Sequence, residues 1–152
     1  MKIAFWIVLA ASLTVAFFVR GFPPRSSAPR LRDGYYTAEE TGYYRGWREY
    51  LTIYVSNGKI VTCEYNAKNA SGFIKSWDMN YMRNMNEVCD NYPDKFARNY
   101  VHALLTNQTS SGIDAMSGAT ESHKSFITLA DAALTQALAG DYEVVFVGVE
   151  HN

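Results

Sequence analysis

The segment 114–120, Asp-Ala-Met-Ser-Gly-Ala-Thr, carries the side chains with the clearest chemical potential in this sequence. The hydroxyl groups of Ser117 and Thr120 flank Gly118 and Ala119, two small residues that let another group approach the backbone closely. A helical pattern comes next, and a helix N-terminus offers free N–H groups and a positive dipole end to a phosphate. The segment therefore predicts either a phosphate site, with or without a bond to a hydroxyl, or a simple helix cap.

The start of the chain has the pattern of a membrane anchor. Residues 3–19 are apolar apart from Ser12 and Thr14, and a helix of this length reaches about 25 Å, enough to cross a bilayer core. No small-residue cleavage site comes after it, and the first cysteine is Cys63, so lipid attachment after cleavage is not offered. We expect residues 1–20 to form an uncleaved signal anchor rather than a buried core helix.

The orientation of this anchor is an expectation with evidence on both sides. Four arginines come after the apolar stretch: Arg20, Arg25, Arg30 and Arg32. The positive-inside rule applied to them would keep the body of the protein in the cytoplasm. Short N-terminal anchors nevertheless commonly export the domain that is attached to them. We therefore expect a single-pass protein of the cell membrane with its domain on the extracytoplasmic face.

Composition divides the rest of the chain into two parts. Residues 21–32 form a linker rich in Pro, Ser and Arg. Residues 33–152 have the length of one domain. The formal net charge of the chain is -1, which gives no indication of nucleic-acid binding.

The first half of the domain shows strand patterns. A short β-prone run covers 34–37, and apolar residues alternate with polar ones over 47–56. Asn57-Gly58 is the dipeptide of a two-residue hairpin turn, and it predicts a return strand over 59–65. Within that strand, Val61, Cys63 and Tyr65 are expected to share one face.

The second half shows helical patterns and one last strand. One helix is expected to begin near Asp78, with Met79, Met82, Met85 and Cys89 on one face, and a second covers 93–106. A third comes directly after the segment 114–120 and ends at Gly140, and 142–149 is β-prone. These patterns predict an α+β fold, a small antiparallel sheet packed with about three helices, preceded by one N-terminal transmembrane helix.

These residues resemble the FMN-binding domain family of membrane-linked flavoproteins. Related domains occur in the C subunit of the sodium-translocating NADH:quinone reductase and the G subunit of Rnf complexes. In that family a flavin transferase recognises an Asp-x-x-Ser/Thr-Gly-Ala-Thr motif and moves FMN from FAD onto the last Thr through a phosphoester bond. Every fixed position of the motif is present here: Asp114, Ser117, Gly118, Ala119 and Thr120.

The resemblance extends from about residue 33 to residue 140 and includes the Asn-Gly-Lys-Ile turn at 57–60. Within the family, the sequence resembles the stand-alone, membrane-anchored members most. Two features depart from that pattern: many stand-alone relatives are lipoproteins, and Glu121 stands where the family often continues with Ser or Thr. A carboxylate is ordinary in a first helical turn, but it would repel a phosphate if its side chain turned that way.

The resemblance implies an electron carrier with FMN on Thr120, with no catalytic or metal-binding residues of its own. Its implied partners are the membrane, a flavin transferase, and donor and acceptor proteins or quinones that the sequence does not identify. Two alternatives stay open: a module that binds FMN without a covalent bond, and a flavin-free surface or interaction protein of the same fold.

The remaining candidate residues are ambiguous. The three histidines, His102, His123 and His151, have no metal-ligand spacing. Cys63 and Cys89 both fall on apolar faces, and an exported domain would allow either a disulfide or two buried thiols.

Overall fold

The computed structural model describes residues 30–89 and 91–151, with the backbone alone at Cys89. The predicted anchor at 1–20 and most of the predicted linker lie outside these residues. The described elements, in chain order, are strand β1 (Gly34–Glu40), strands β2 (Arg48–Ser56) and β3 (Lys59–Lys68), a short 3-10 helix (Lys75–Trp77), helices α1 (Met79–Cys89), α2 (Pro93–Asn107) and α3 (Thr120–Ala139), and strand β4 (Val145–Val147). None of the helices in the described ranges has the length and apolarity that a bilayer crossing requires.

The strands form one sheet in the order β3-β2-β1-β4. The three long strands pair antiparallel, whereas β4 pairs parallel to β1, with Ala38 opposite Val145. The predicted α+β class, with a small, mostly antiparallel sheet and three helices, is confirmed for the described residues. The last strand is parallel to its neighbour and shorter than the predicted run 142–149.

The predicted hairpin turn is confirmed at Asn57 and Gly58, whose φ angles are 53° and 71°. Both central residues of such a turn need positive φ, which Gly and Asn tolerate best. The carboxylate of Asp33 accepts hydrogen bonds from the N–H groups of both turn residues, each at 2.9 Å. These bonds, first that from Gly58, lower the pKa of Asp33, and they attach the start of β1 to the hairpin.

A β-bulge lies just beyond this turn. Tyr54 pairs with Thr62, but the next residue, Val55, pairs with Ile60, so one residue of β3 has no partner in the register. Ile60 is consequently buried, and Val61 is 47% exposed. The predicted grouping of Val61 with Tyr65 on one face was therefore wrong, because an extra residue in one strand breaks the two-residue period.

Helices α2 and α3 cover one face of the sheet. Tyr36, Ile53, Tyr100 and Phe126 are among the fully buried side chains between these layers. The last helix ends where predicted, at Gly140, which has a φ of 70°. This packing holds the N-terminus of α3 at the end of the sheet where β1 ends and β2 begins.

Helix α1 begins directly after Asp78, whose carboxylate accepts a hydrogen bond of 3.0 Å from the N–H of Tyr81. The predicted N-cap is thus confirmed. Met82 is buried on this helix, but Met79 is 66% exposed. Only part of the predicted methionine face therefore packs into the core.

Candidate functional site

The segment 114–120 forms the approach to α3. Ala119 is the N-cap residue and makes no side-chain capping bond, and Thr120 is the first helical residue. The N–H of Ala119 donates to the carbonyl oxygen of Met116 at 3.0 Å, and the N–H of His123 donates to the carbonyl of Ala119 at 2.8 Å. Thr120 is exposed, so its hydroxyl side chain stands on a defined turn at a helix N-terminus.

Two buried side chains hold this turn in place. The hydroxyl of Tyr100 accepts a hydrogen bond of 3.1 Å from the N–H of Met116 and donates one of 3.4 Å to the carbonyl of Ala119. The amide of Asn91 donates to the carbonyl of Ser117 at 2.9 Å. Tyr100 and Asn91 are only 1% and 5% exposed, so the turn is supported by groups that are themselves fixed by packing.

A cavity of about 470 Å³ opens beside this turn, and Gly118, Ala119 and Thr120 form part of its wall. Its volume falls within the range of roughly 300–1,000 Å³ that is typical of small-molecule sites. The rest of the wall consists mainly of aromatic rings, cations and carboxylates, with three other side chains. They are Tyr44, Trp47, Tyr81 and Phe96; Arg45 and Lys75; Glu40, Glu49 and Glu121; and Met85, Ser122 and His151.

The connection between β1 and β2 supplies three of these side chains. Tyr44 and Trp47 exchange backbone hydrogen bonds of 2.7 and 3.0 Å. Between them, Arg45 and Gly46 have φ angles of 50° and 84°, as a two-residue turn of this kind requires. The Arg45 guanidinium lies 5.1 Å from the centre of the Tyr44 ring. The tight turn thus brings two rings and one cation to the cavity.

Lys75, in the 3-10 helix, supplies the second cation. Its Nζ lies 5.8 Å from the ring centre of Trp47 and 5.4 Å from that of Tyr81, within cation–π range. Burial lowers the pKa of Lys75, and the nearby carboxylate of Glu49 opposes that shift.

Glu49 lies in the wall with its carboxyl group directed into the protein. Ser122 Oγ donates to it at 3.2 Å, and the hydroxyl of Tyr65 is its second partner. Burial raises the pKa of Glu49 because the charged form is desolvated, while the charge of Lys75 acts in the opposite direction.

The five predicted site residues do not all lie at the cavity. Gly118, Ala119 and Thr120 come together in its wall. Ser117 and Asp114 are exposed and are not among the described residues that line it. Among the described residues, no group of three or more His, Cys, Asp or Glu side chains is arranged to hold a metal ion.

Glu40, Glu49 and His151 were not predicted from the sequence as site residues. A signal for Glu40 was present, since its position alternates with Tyr36 and Ala38 and so points inward from β1. His151 had no such signal, because it contacts Glu40 across a long separation in the sequence, which no local pattern reveals.

Comparison with known proteins gives two informative relatives. The chain is 33% identical over 100 residues to the 15 kDa lipoprotein of Treponema pallidum, an alignment covering 66% of this chain and 71% of that protein. A protein of Clostridium perfringens with a known crystal structure superposes with a TM-score of 0.75 at 34% identity, over 79% of this chain and 99% of that one. The chain belongs to the 15 kDa lipoprotein family.

No family model matches the chain. The names of these two relatives state no ligand and no reaction. Function must therefore be inferred from the site itself.

Proposed function

We propose that this protein is a membrane-associated flavoprotein electron carrier whose FMN is linked by a phosphoester to Thr120. The observation that carries the proposal is the position of Thr120. An exposed hydroxyl residue begins α3 in the wall of a ligand-sized cavity, within a segment that matches a flavin transferase motif at every fixed position.

The composition of the cavity wall supports a flavin. The rings of Tyr44, Trp47 and Tyr81 offer faces and edges for a planar aromatic group. Arg45 and Lys75 offer positive charge to an anion at the same wall. These residues, with Thr120, would hold the cofactor.

The carboxylates in the wall have partners of their own. Glu40 and Glu121 each lie within ion-pair distance of His151. Glu49 is hydrogen-bonded to Tyr65 and Ser122. Protein groups therefore face each of these carboxyl groups, which makes the wall compatible with a phosphate.

Attachment would proceed as a group transfer from FAD. The hydroxyl oxygen of Thr120 forms a new bond to the phosphorus of the FMN portion, the pyrophosphate bond of FAD breaks, and AMP leaves. A threonine hydroxyl needs activation at neutral pH, and we assign the base that takes its proton to the transferase. Asp114 and Ser117, exposed beside the acceptor, are in a position to be recognised by that enzyme.

FMN supplies reversible electron transfer when it is bound, while the protein determines its position and surroundings. A covalent link suits a carrier outside the cytoplasm, where a free flavin would be lost by diffusion. Membership of the 15 kDa lipoprotein family supports membrane association. We propose that residues 1–20 provide the attachment as a single-pass anchor and that the domain is extracytoplasmic.

Co-expression with a flavin transferase tests the function. We expect yellow protein whose flavin absorbance stays with the polypeptide through denaturation and gel filtration. Colour that is lost on denaturation would indicate non-covalent FMN, and colourless native protein would exclude both flavin alternatives. Thr120→Val is the variant that removes the acceptor, and Thr109→Val, at another exposed threonine, is its matched control.

Protease protection on intact cells tests the orientation separately. We expect the domain to be digested by external protease in cells whose outer layers are permeabilised. A domain that stays protected until the cell membrane is lysed would contradict the extracytoplasmic location and leave the flavin proposal standing.

A further inference from the structure

His151 lies between two carboxylates of the cavity wall. Its Nε2 is 3.1 Å from Oε1 of Glu40 on β1, and its Nδ1 is 3.5 Å from Oε2 of Glu121 on α3. The imidazole stacks on the ring of Tyr44, with centres 4.2 Å apart and planes inclined by 7°. The side chain is 14% exposed, so packing fixes its position from several directions.

The surroundings of Glu40 call for a positive partner. This residue is 2% exposed, and its carboxylate accepts hydrogen bonds from Ser125 Oγ at 2.7 Å and from the N–H of Glu49 at 3.1 Å. A buried carboxylate is costly unless a counter-charge accompanies its hydrogen bonds. The ring of His151 is the group that lies against this carboxylate, and its other nitrogen faces Glu121, so one side chain stands between the two carboxylates.

Glu121 is the residue next to the proposed flavin acceptor. Its carboxylate is held on one side by Lys124 Nζ at 3.3 Å and on the other by His151. A carboxylate released from these contacts, one residue from Thr120, would repel an anionic ligand at the same wall. Contacts that hold the Glu121 carboxylate in place would therefore reduce its repulsion of a phosphate beside Thr120.

We propose that His151 is a positioning residue for the anionic ligand at Thr120: by pairing with Glu40 and Glu121 it holds the Glu121 carboxylate away from the ligand phosphate and offsets its charge. This inference rests on the proposed function. It assigns His151 a specific contribution to that site, namely acceptance of the phosphate group rather than of the isoalloxazine ring.

The test compares two flavins that differ by the phosphate. The full chain, purified in detergent without transferase, is titrated with FMN and with riboflavin, for wild type, His151→Phe, Glu121→Gln and the double variant. Phe keeps a flat ring against Tyr44 and removes both nitrogens. We expect His151→Phe to weaken FMN binding roughly tenfold, as for the loss of one charged contact, and to leave riboflavin binding unchanged.

The double variant separates positioning from general structural damage. If His151 acts through Glu121, adding Glu121→Gln to His151→Phe restores most of the lost FMN affinity, because the carboxylate that His151 no longer holds is gone. The initial rate of flavin addition by the transferase, monitored by intact mass, should show the same loss and the same recovery.

Three outcomes would overturn the inference. In the first, His151→Phe leaves both FMN affinity and the addition rate unchanged while wild type takes up flavin, so that the proposed function stands alone. In the second, FMN and riboflavin weaken equally and Glu121→Gln restores neither, which indicates a purely structural role. In the third, wild type neither binds FMN nor accepts it from the transferase, and the proposed function falls as well.

Discussion

The carboxyl group of Glu49 and the hydroxyl of Tyr65 are hydrogen-bonded inside the cavity wall. The same hydroxyl lies 2.8 Å from the carbonyl oxygen of Ser122, which can only accept. A tyrosine hydroxyl has one proton, so Tyr65 cannot fully satisfy both Ser122 and an ionised Glu49 at the same time. The raised pKa of Glu49, caused first by burial, agrees with this arrangement.

The first prediction concerns the pH dependence of stability. Because the pKa of Glu49 is raised in the fold, the unfolded chain loses this proton first as pH rises. The contribution of Glu49 to stability is thus fully present below the pKa of the unfolded state. It is lost as pH rises from that value through the pKa of the folded state. One proton accounts for at most about 1.4 kcal/mol per pH unit across that window.

Glu49→Gln removes this dependence, because an amide copies the protonated acid without ionising. We expect the variant to gain stability over wild type as pH rises from 4 to 7, measured by urea unfolding. Lys75, whose pKa is lowered, gives a slope of the opposite sign below the ordinary lysine value. Groups common to both proteins, such as Asp33, cancel in the difference between the variant and wild type. An identical slope in both proteins would contradict the raised pKa of Glu49.

The second prediction concerns the turn before Thr120. Tyr100→Phe removes the hydroxyl that bridges Met116 and Ala119, and it leaves the partly buried N–H of Met116 without this partner. We expect a loss of about 1–3 kcal/mol in the free energy of unfolding, with faster hydrogen exchange at the amide of Met116. Tyr35→Phe is the matched control, since Tyr35 is 65% exposed. Equal losses in both variants would contradict the bracing role.

Local rules in the sequence predicted the elements that depend on local interactions. Asn57-Gly58 identified its turn because few residues tolerate positive φ at two successive positions. Gly140 marked the end of α3 because glycine readily adopts the positive φ of a helix C-cap. Asp78 was correctly placed before α1, because its short side chain caps the first turn.

Contacts between distant parts of the chain were beyond those rules. The bulge that exposes Val61 depends on the pairing of two strands and has no signature within either one. The parallel pairing of β4 with β1, and the contact of His151 with Glu40, join the two ends of the domain. The sequence therefore located the N-terminal turn of α3 but missed most of the cavity wall around it.

The third prediction concerns Cys63, which is a free thiol in the structure. Burial, together with the smaller effect of the Glu64 charge, raises the pKa of its thiol to about 12, so the reactive thiolate is scarce at neutral pH. In a Cys89→Ser background, we expect Cys63 to react slowly with an alkylating reagent at pH 8 and completely in urea. Rapid labelling of the native protein would contradict this burial.

Wild type tests the disulfide alternative under the same conditions. Complete labelling of two thiols in urea without a reductant is the expected result. A chain that stays unlabelled until it is reduced would show a bond between Cys63 and Cys89.

The fourth prediction concerns the cavity cations. Lys75→Met keeps an apolar stem against Trp47 and Tyr81 and removes the charge. We expect weaker binding of FMN and little change in fold stability, because burial already disfavours the charged form of this lysine. Lys59→Met, at an exposed position next to the hairpin turn, serves as the control. FMN binding that weakens as much in the control as in Lys75→Met would remove Lys75 from the site.

The central claim is a covalent bond at one atom, the hydroxyl oxygen of Thr120, and intact mass spectrometry tests it most directly. After co-expression with a flavin transferase, we expect wild type and the control Thr109→Val to carry an added mass of about 440 Da, the mass of FMN less water. Thr120→Ala should carry none. Wild type without the added mass, or Thr120→Ala that keeps it, would contradict the covalent link at this residue.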